Sequence, residues 1–385
     1  MSPFFMDLKS KNKIVISCAP GLVGSVEMEL EGLGFPIKGK DQKAVITEGD
    51  MADVMLLNYK MRTANKILWH ISSFKASHPN QLFKNAIKIR WEDILKLDGY
   101  FSIDSFVKNK FINDTRFANL KLKDAIADRF NRKFNKRPDS GPGKDEAVIF
   151  MRWVDDFVEL YLDTSGQSIA KHGYRKYPGP APLMENLAAA IINASSWNRK
   201  SHFINPMCGS GTLAIEAALM ALNIFPGKFR KNFGFQHIQG FQFKPWYQLR
   251  DKIDGEKQMD HLPFKIIATD ISRKAVSIAR ENAKLAGVDH LIDFKACSFQ
   301  NTPLPEGEGV VMMNPEYGER LGEIEKLETT YQEIGDFLKQ KCSGYTGYIF
   351  TGNLELAKKV GLRTKSRTQF FNGKIECRLL EYELY

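Results

Sequence analysis

The sequence contains no CxxC pair, no HExxH, no Cys/His group at zinc spacing and no Gly-Lys-Ser/Thr following a glycine turn. No metal is therefore expected, and P-loop chemistry is excluded. No apolar run approaches the roughly 18 residues that a membrane helix requires. Cysteine is scarce: Cys18, Cys208, Cys297, Cys342 and Cys377 are an odd number and cannot all pair within one chain. No secretory leader pattern opens the sequence, so reduced thiols and a cytoplasmic location are expected, and a disulfide scaffold is excluded. Internal repeats and low-complexity tracts are absent as well.

What remains is an ordinary soluble composition. The chain has 385 residues, 43% of them apolar and 26% charged, enough for about two or three domains. Lys and Arg exceed Asp and Glu by ten, giving a pI near 9.1. A surplus of that size favours an anionic partner.

Two grammars follow one another along the chain. The first half mixes short units: β-rich Lys13–Cys18, a helix carried by Leu22, Val26, Leu30 and Leu33 and stopped at Gly34, strands at Ala44–Thr47, Ile67–Phe74 and Tyr100–Val107, and an apolar helix near Val54–Met61. Such alternation suggests an α+β layer. Between Phe101 and Asp145 eleven Lys/Arg face six Asp, half of the whole surplus. Leu122, Ile126, Phe130 and Phe134 recur every four residues there, predicting a helix with one buried stripe and a basic opposite face. Pro138–Gly143 carries turn chemistry and is expected to end it. Asp155-Asp156 reads as a turn between strands.

Gly173–Pro182 reads as a linker or a tight crossing between domains, and the basic cluster Lys171, His172, Arg175 and Lys176 at this junction suits either phosphate contact or plain solvation. Beyond it, apolar strands alternate with longer helices: Phe203–Asn205, Thr212–Leu222, Lys265–Asp270, Arg273–Ala286, Gly309–Asn314, Glu325–Lys341 and Tyr345–Thr351. That is the pattern of a parallel sheet covered on both faces. Asn372-Gly373, between two β-prone runs, signals a hairpin and an antiparallel edge.

Three short stretches carry chemistry. In Phe203–Thr212 a strand runs into Cys208-Gly209-Ser210-Gly211-Thr212, where glycines admit a ligand to the backbone and a helix N-terminus begins. Asp270 closes the next strand, where a ribose is gripped in such folds, or caps the following helix. It lies 59 residues after Gly211, too far for an ordinary NAD site. An aromatic and basic insertion, Ile224–Pro263, fills the gap. The third stretch is Asn314-Pro315-Glu316-Tyr317 after the apolar strand Val310–Met313. An exocyclic amine is a poor nucleophile because its lone pair is delocalised into the ring. An Asn oxygen and a Pro carbonyl can accept both of its N–H bonds and aim the nitrogen, while a Tyr ring offers a stacking face for an extruded base. Cys208, inside the glycine turn, reads as packing rather than as a nucleophile.

The residues from Leu160 onward resemble the bacterial THUMP-containing RNA methyltransferases, in particular the 23S rRNA guanine-N2 methyltransferase L family. The resembling strings are Leu160–Gly166, Ala181-Pro182-Leu183 with Glu185 and Leu187–Ala190, Cys208–Thr212, and Asn314–Leu321. Upstream, Leu120–Phe130 is similar to the family's THUMP segment. The resemblance implies an α/β protein: a Rossmann-like class I S-adenosylmethionine-dependent methyltransferase domain (166–385) preceded by an α+β ferredoxin-like region (1–60) and a THUMP RNA-binding domain (61–165). It implies S-adenosylmethionine held along Asn205, Pro206, Cys208, Gly209, Gly211, Thr212, Asp270, Ile271 and Ser298. Asn314, Pro315, Glu316 and Tyr317 would carry catalysis. Structured RNA, 23S rRNA in the first place, would be held through Lys121, Lys123, Arg129, Arg132, Lys133, Lys136 and Arg137. A monomer or weak dimer is expected.

Three residues depart from the family pattern. Asn205 stands where the family has Asp, which loses charge assistance toward the donor's amine. Ser298 stands about where an Asp reads the adenine amine. Glu316 replaces the second proline of Asn-Pro-Pro-Tyr and either selects guanine, through its adjacent N1–H and N2 donors, or faces solvent. Rival readings are a tRNA guanine-N2 or adenine-N6 methyltransferase and a non-catalytic RNA-binding or ribosome-assembly factor.

Overall fold

The computed structural model describes residues 8–112, 114–177, 183–256, 261–318 and 321–385, with the backbone alone for 321–324. Part of the expected linker (178–182, with Ala181 and Pro182), part of the insertion (257–260) and residues 319–320 of the third stretch lie outside the described residues. The chain forms two compact units. One gathers the N-terminal residues to Cys18, Val26–Ile169 and Arg230–Gly255; the other gathers Ala19–Ser25, Ala170–Phe229 and Glu256–Tyr385.

The first unit contains β1 (Asn12–Ser17), β2 (Gly39–Lys40), β3 (Ala44–Gly49), α2 (Met51–Lys60), β4 (Lys66–Lys75), α3 (Pro79–Ala86), β5 (Tyr100–Lys108), α4 (Thr115–Phe134), β6 (Asp139–Ser140), β7 (Ala147–Val154) and β8 (Phe157–Asp163); α1 (Val23–Gly32) follows β1. Its eight strands make one sheet in the order β2-β3-β1-β4-β8-β7-β5-β6, so the sheet runs unbroken past residues 60 and 61. Ile14, Trp69, Leu162 and Ile149 pair in register across four strands and are all at most 1% exposed. That row is the core side of the sheet. Asp50 and Asp53 cap α2 reciprocally, each accepting the other's backbone N–H at 2.9–3.0 Å.

In α4 the stripe Leu122, Ile126 and Phe130 is buried, but Phe134 at its end is 42% exposed. The helix stops at Asn135, whose φ of +50 turns the chain left-handed before the Pro-Gly run is reached. Asp155-Asp156 joins β7 to β8 as expected, with Asp155 at φ +52.

The other strands and helices follow in order: α5 (Glu185–Asn193), β9 (His202–Pro206), α6 (Thr212–Ala221), α7 (Phe243–Asp254), β10 (Ile266–Asp270), α8 (Arg273–Ala286), β11 (Ile292–Ala296), β12 (Gly309–Met313), α9 (Leu321–Lys341), β13 (Tyr345–Thr351), α10 (Leu354–Lys359), β14 (Ser366–Asn372) and β15 (Ile375–Glu383). The second unit's sheet has the order β11-β10-β9-β12-β13-β15-β14. The first five strands are parallel, and β15 and β14 close the edge antiparallel through the Gly373-Lys374 turn. The order reverses between β9 and β12, which places a crevice at their carboxyl ends.

The insertion departs from the expectation that 166–385 form one domain, since Arg230–Gly255, with α7, belongs to the first unit. The cause is aromatic burial. Trp246 meets Phe233, Phe235 and Tyr59 edge-on at 5.3, 5.1 and 5.8 Å, and the Tyr59 hydroxyl donates to Asp254 at 2.6 Å. Gly234 comes so close to the chain that a Cβ would sit 2.3 Å from the Asp163 carbonyl, an approach open to glycine alone.

Candidate active site

The crevice at the sheet reversal is a cleft of about 530 Å³, within the range of small-ligand sites. It joins the three stretches: Asn205, Cys208, Gly209, Thr212, Asp270, Ile271, Ser298, Asn314, Pro315 and Glu316 all line it. Pro206, Gly211 and Tyr317 are not among its lining residues.

The glycine turn shapes one side. Gly209 (φ +54) has nothing within 4 Å of where a Cβ would be, so its backbone is open to a ligand. Gly211 (φ +83) serves packing instead: a Cβ there would lie 2.8 Å from that of Ala279 in α8. Asp270 accepts from Gly209 N at 3.0 Å and Ser272 N at 2.9 Å. Its two oxygens keep further lone pairs for a ligand's hydroxyls. The helix cap expected of it falls to Ser272, which accepts from Ala275 N at 3.2 Å. Ile271, 79% exposed, stands at the lip.

Asn205 is 1% exposed. Its Nδ2 donates to the Met312 carbonyl at 2.8 Å, and its Oδ1 is buried without a partner. A buried acceptor left open costs about 1–3 kcal/mol, which a ligand donor entering the cleft would recover. Burial, joined by the Asp270 charge, pushes the Cys208 thiol up. It stays protonated, which suits packing rather than attack.

The 314–317 loop forms the facing wall. Tyr331, fully buried, donates to the Glu316 carbonyl at 3.1 Å and bonds Thr351 at 2.8 Å. Asn353 donates to the Tyr317 carbonyl at 2.9 Å while capping α10. Glu316 is exposed on the cleft. Tyr317, expected to offer a ring to a base, is instead half-buried, with its ring 6.4 Å from that of Phe350 and its hydroxyl donating to Asn314 Oδ1 at 2.8 Å. Burial pushes that phenol up, so it donates throughout the neutral range.

Sequence reasoning missed several wall residues. Gln300 donates to Glu333 at 3.1 Å and accepts from Ser298, and Leu327, Thr330 and Glu333 of α9 face the cleft at helical spacing. Arg175, read as linker solvation or a phosphate contact, is neither. Its side chain is 7% exposed, pairs with Glu185 at 3.0 Å and donates to the Leu183 carbonyl at 2.7 Å. His172 is likewise buried against Glu216 at 2.7 Å.

The basic helix is partly spoken for. Arg129 and Lys133 both reach Glu92, at 2.6 and 2.9 Å. Lys121 and Lys123 are half-buried, whereas Arg132, Lys136 and Arg137 are exposed. Among the described residues no group of His, Cys, Asp and Glu could hold a metal, and no helix is long and apolar enough to cross a membrane.

A family model described as the RMKL-like methyltransferase domain matches residues 172–381. The chain belongs to that methyltransferase family. Models of the RlmL ferredoxin-like domain and the THUMP domain match 13–68 and 76–163. The chain is 33% identical over 367 residues to "Putative RNA methyltransferase slr0064" of Synechocystis sp., covering 95% of both. It is 35% identical to the ribosomal RNA large subunit methyltransferase K/L of Syntrophotalea carbinolica, covering 92% of this chain and 51% of that protein. The chain thus spans about half the length of the K/L relatives. The crystal structure of SMU.472 complexed with SAH shares 27% identity and a TM-score of 0.88, over 98% of this chain and 99% of that one.

Proposed function

We propose that this methyltransferase uses S-adenosylmethionine to methylate the N2 amine of a guanine in 23S rRNA. The observation that carries the reading is that Asn205 and Asn314, from neighbouring strand ends, open onto one cleft. The residues fit the donor. The unpartnered Asn205 Oδ1 would accept from its ammonium, Asp270 from its ribose hydroxyls, and Gly209 gives its backbone room. When bound, the donor supplies a sulfonium methyl group.

The chain's own part is orientation. Asn314 Oδ1 and the Pro315 carbonyl would accept from the target amine and direct its nitrogen, and orientation of reactants contributes on the order of 7–11 kcal/mol in such reactions. Glu316, exposed on the cleft, would accept from guanine N1–H and N2–H. Residues of the 1–165 region, joined by Arg230–Gly255, would hold RNA, with Arg132, Lys136 and Arg137 on phosphates and binding correspondingly salt-sensitive.

The test incubates the chain with methyl-tritiated donor and unmodified 23S rRNA, and maps the labelled nucleotide. Label on a guanine N2 of 23S rRNA is expected. Label confined to tRNA or to an adenine would overturn the substrate, and no label with no calorimetric binding of S-adenosylhomocysteine would overturn the activity.

A further inference from the structure

The face of the first unit's sheet opposite the Ile14–Trp69–Leu162–Ile149 row carries side chains that α2, α3 and α4 leave uncovered. Pairing sets two rows there: Phe106, Arg152, Glu159 and Ser73, then Lys108, Val154, Phe157 and Lys75. Phe106, on β5 beyond its short pairing with β6, is 53% exposed, and Phe157, the first residue of β8, is 42% exposed. Lys75 and Lys108 are exposed and have no carboxylate partner among the described residues. Among the carboxylates nearby, Asp155 and Asp156 of the β7–β8 turn are exposed and carry no ion pair among the described residues, whereas the two on the sheet face are each doubly paired. Glu159 is held by Lys13 and Arg152 at 2.8 and 3.0 Å, and Asp104 by Lys66 and Lys144 at 2.9 and 2.7 Å. Past the last row a cavity of about 260 Å³ opens beside the β7–β8 turn, with Lys110 and a 70% exposed Phe111 on its wall.

We infer that this open sheet face, through Phe106 and Phe157 flanked by Lys75 and Lys108, binds a single-stranded segment of the RNA substrate. The inference rests on the RNA reading proposed above and adds a contact on the sheet to that of the free cations at the end of α4, two of whose other cations Glu92 has captured. Exposed rings interleaved with unmatched cations suit bases that stack and phosphates that run alongside. A duplex, whose bases already stack on one another, gains nothing from the rings. A protein partner would need a continuous apolar patch, and here lysines break it up.

The test measures fluorescence anisotropy of a labelled twelve-nucleotide uridine strand and of a twelve-base-pair RNA duplex with the full chain. The double variant Phe106→Ala/Phe157→Ala should bind the single strand at least tenfold more weakly and the duplex within twofold of the unaltered chain. Phe106→Tyr/Phe157→Tyr should retain binding, and calorimetric affinity for S-adenosylhomocysteine should be unchanged in both. Unchanged single-strand binding by the alanine variant, or equal loss on both RNAs, would overturn the inference and leave the face to another partner. If the unaltered chain binds neither RNA, the RNA reading itself fails.

Discussion

The Tyr317 hydroxyl donates to Asn314 Oδ1 at 2.8 Å, so two of the candidate catalytic residues of the strand-end loop are bonded to each other in the free protein. The bond fixes the amide's rotation and leaves its oxygen one further acceptor position. Tyr317→Phe removes only that proton donor. Turnover should fall about two- to tenfold, the range expected from losing one hydrogen bond of about 0.5–1.5 kcal/mol. Affinity for S-adenosylhomocysteine should stay constant. Steady-state rates on methylatable RNA, with calorimetry alongside, check this; a parallel loss of cofactor affinity would contradict it.

Asn205→Leu keeps the approximate volume and deletes the open acceptor. S-Adenosylhomocysteine should bind at least tenfold more weakly, because the ligand's ammonium would then enter a buried site without a partner. The same titration reads the outcome, and an unchanged dissociation constant would move the amine contact elsewhere.

The two glycines of the turn separate packing from ligand access. Gly211→Ala places a Cβ 2.8 Å from that of Ala279 at φ +83. Left-handed strain of about 1–2 kcal/mol and overpacking of about 1–3 kcal/mol should add, so the melting temperature should drop markedly. Gly209→Ala meets nothing within 4 Å, so it should cost stability only the strain, about 1–2 kcal/mol, but should weaken cofactor binding by narrowing the cleft. Thermal melts and calorimetry on the two variants should therefore rank them in opposite order.

These contrasts show where the sequence was readable. Asp270 ends a strand, and Gly209 and Asn314 lie just past the ends of two others, whose apolar runs mark them locally; the reversal of strand order then brings them onto one cleft. The two-residue turn at Asp155 and the hairpin at Gly373 are equally local. What escaped is non-local. Glu92 captures Arg129 and Lys133 from 37 and 41 residues away, so a charge count along α4 overstates its available cations. Arg175 reads as a phosphate contact or as solvated because nothing nearby in sequence announces Glu185 as a buried partner. Phe134 fits the stripe of α4 by spacing, but the helix ends beside it and offers nothing to cover it. The Trp246 insertion follows the glycine turn in sequence, whereas its aromatic neighbour Tyr59 lies nearly two hundred residues earlier.

The Glu92 cluster sets a pH dependence of stability. Burial raises the carboxyl, but the hydrogen bonds from Arg129 and Lys133 outweigh it and hold it down at about 2, below the ordinary 4.5. A depressed folded-state value contributes stability above the unfolded value and loses it as pH falls through the folded one. The contribution is therefore complete above about pH 4.5 and fades between there and pH 2. Glu92→Gln should lower the urea midpoint at pH 7, and its deficit against the unaltered chain should shrink as the pH is brought down across that interval. The same variant releases Arg129 and Lys133 to solvent, so it should also raise the affinity of the chain for RNA duplex at low salt. A deficit that stays constant from pH 6 to pH 2.5 would mean that the carboxylate contributes packing alone.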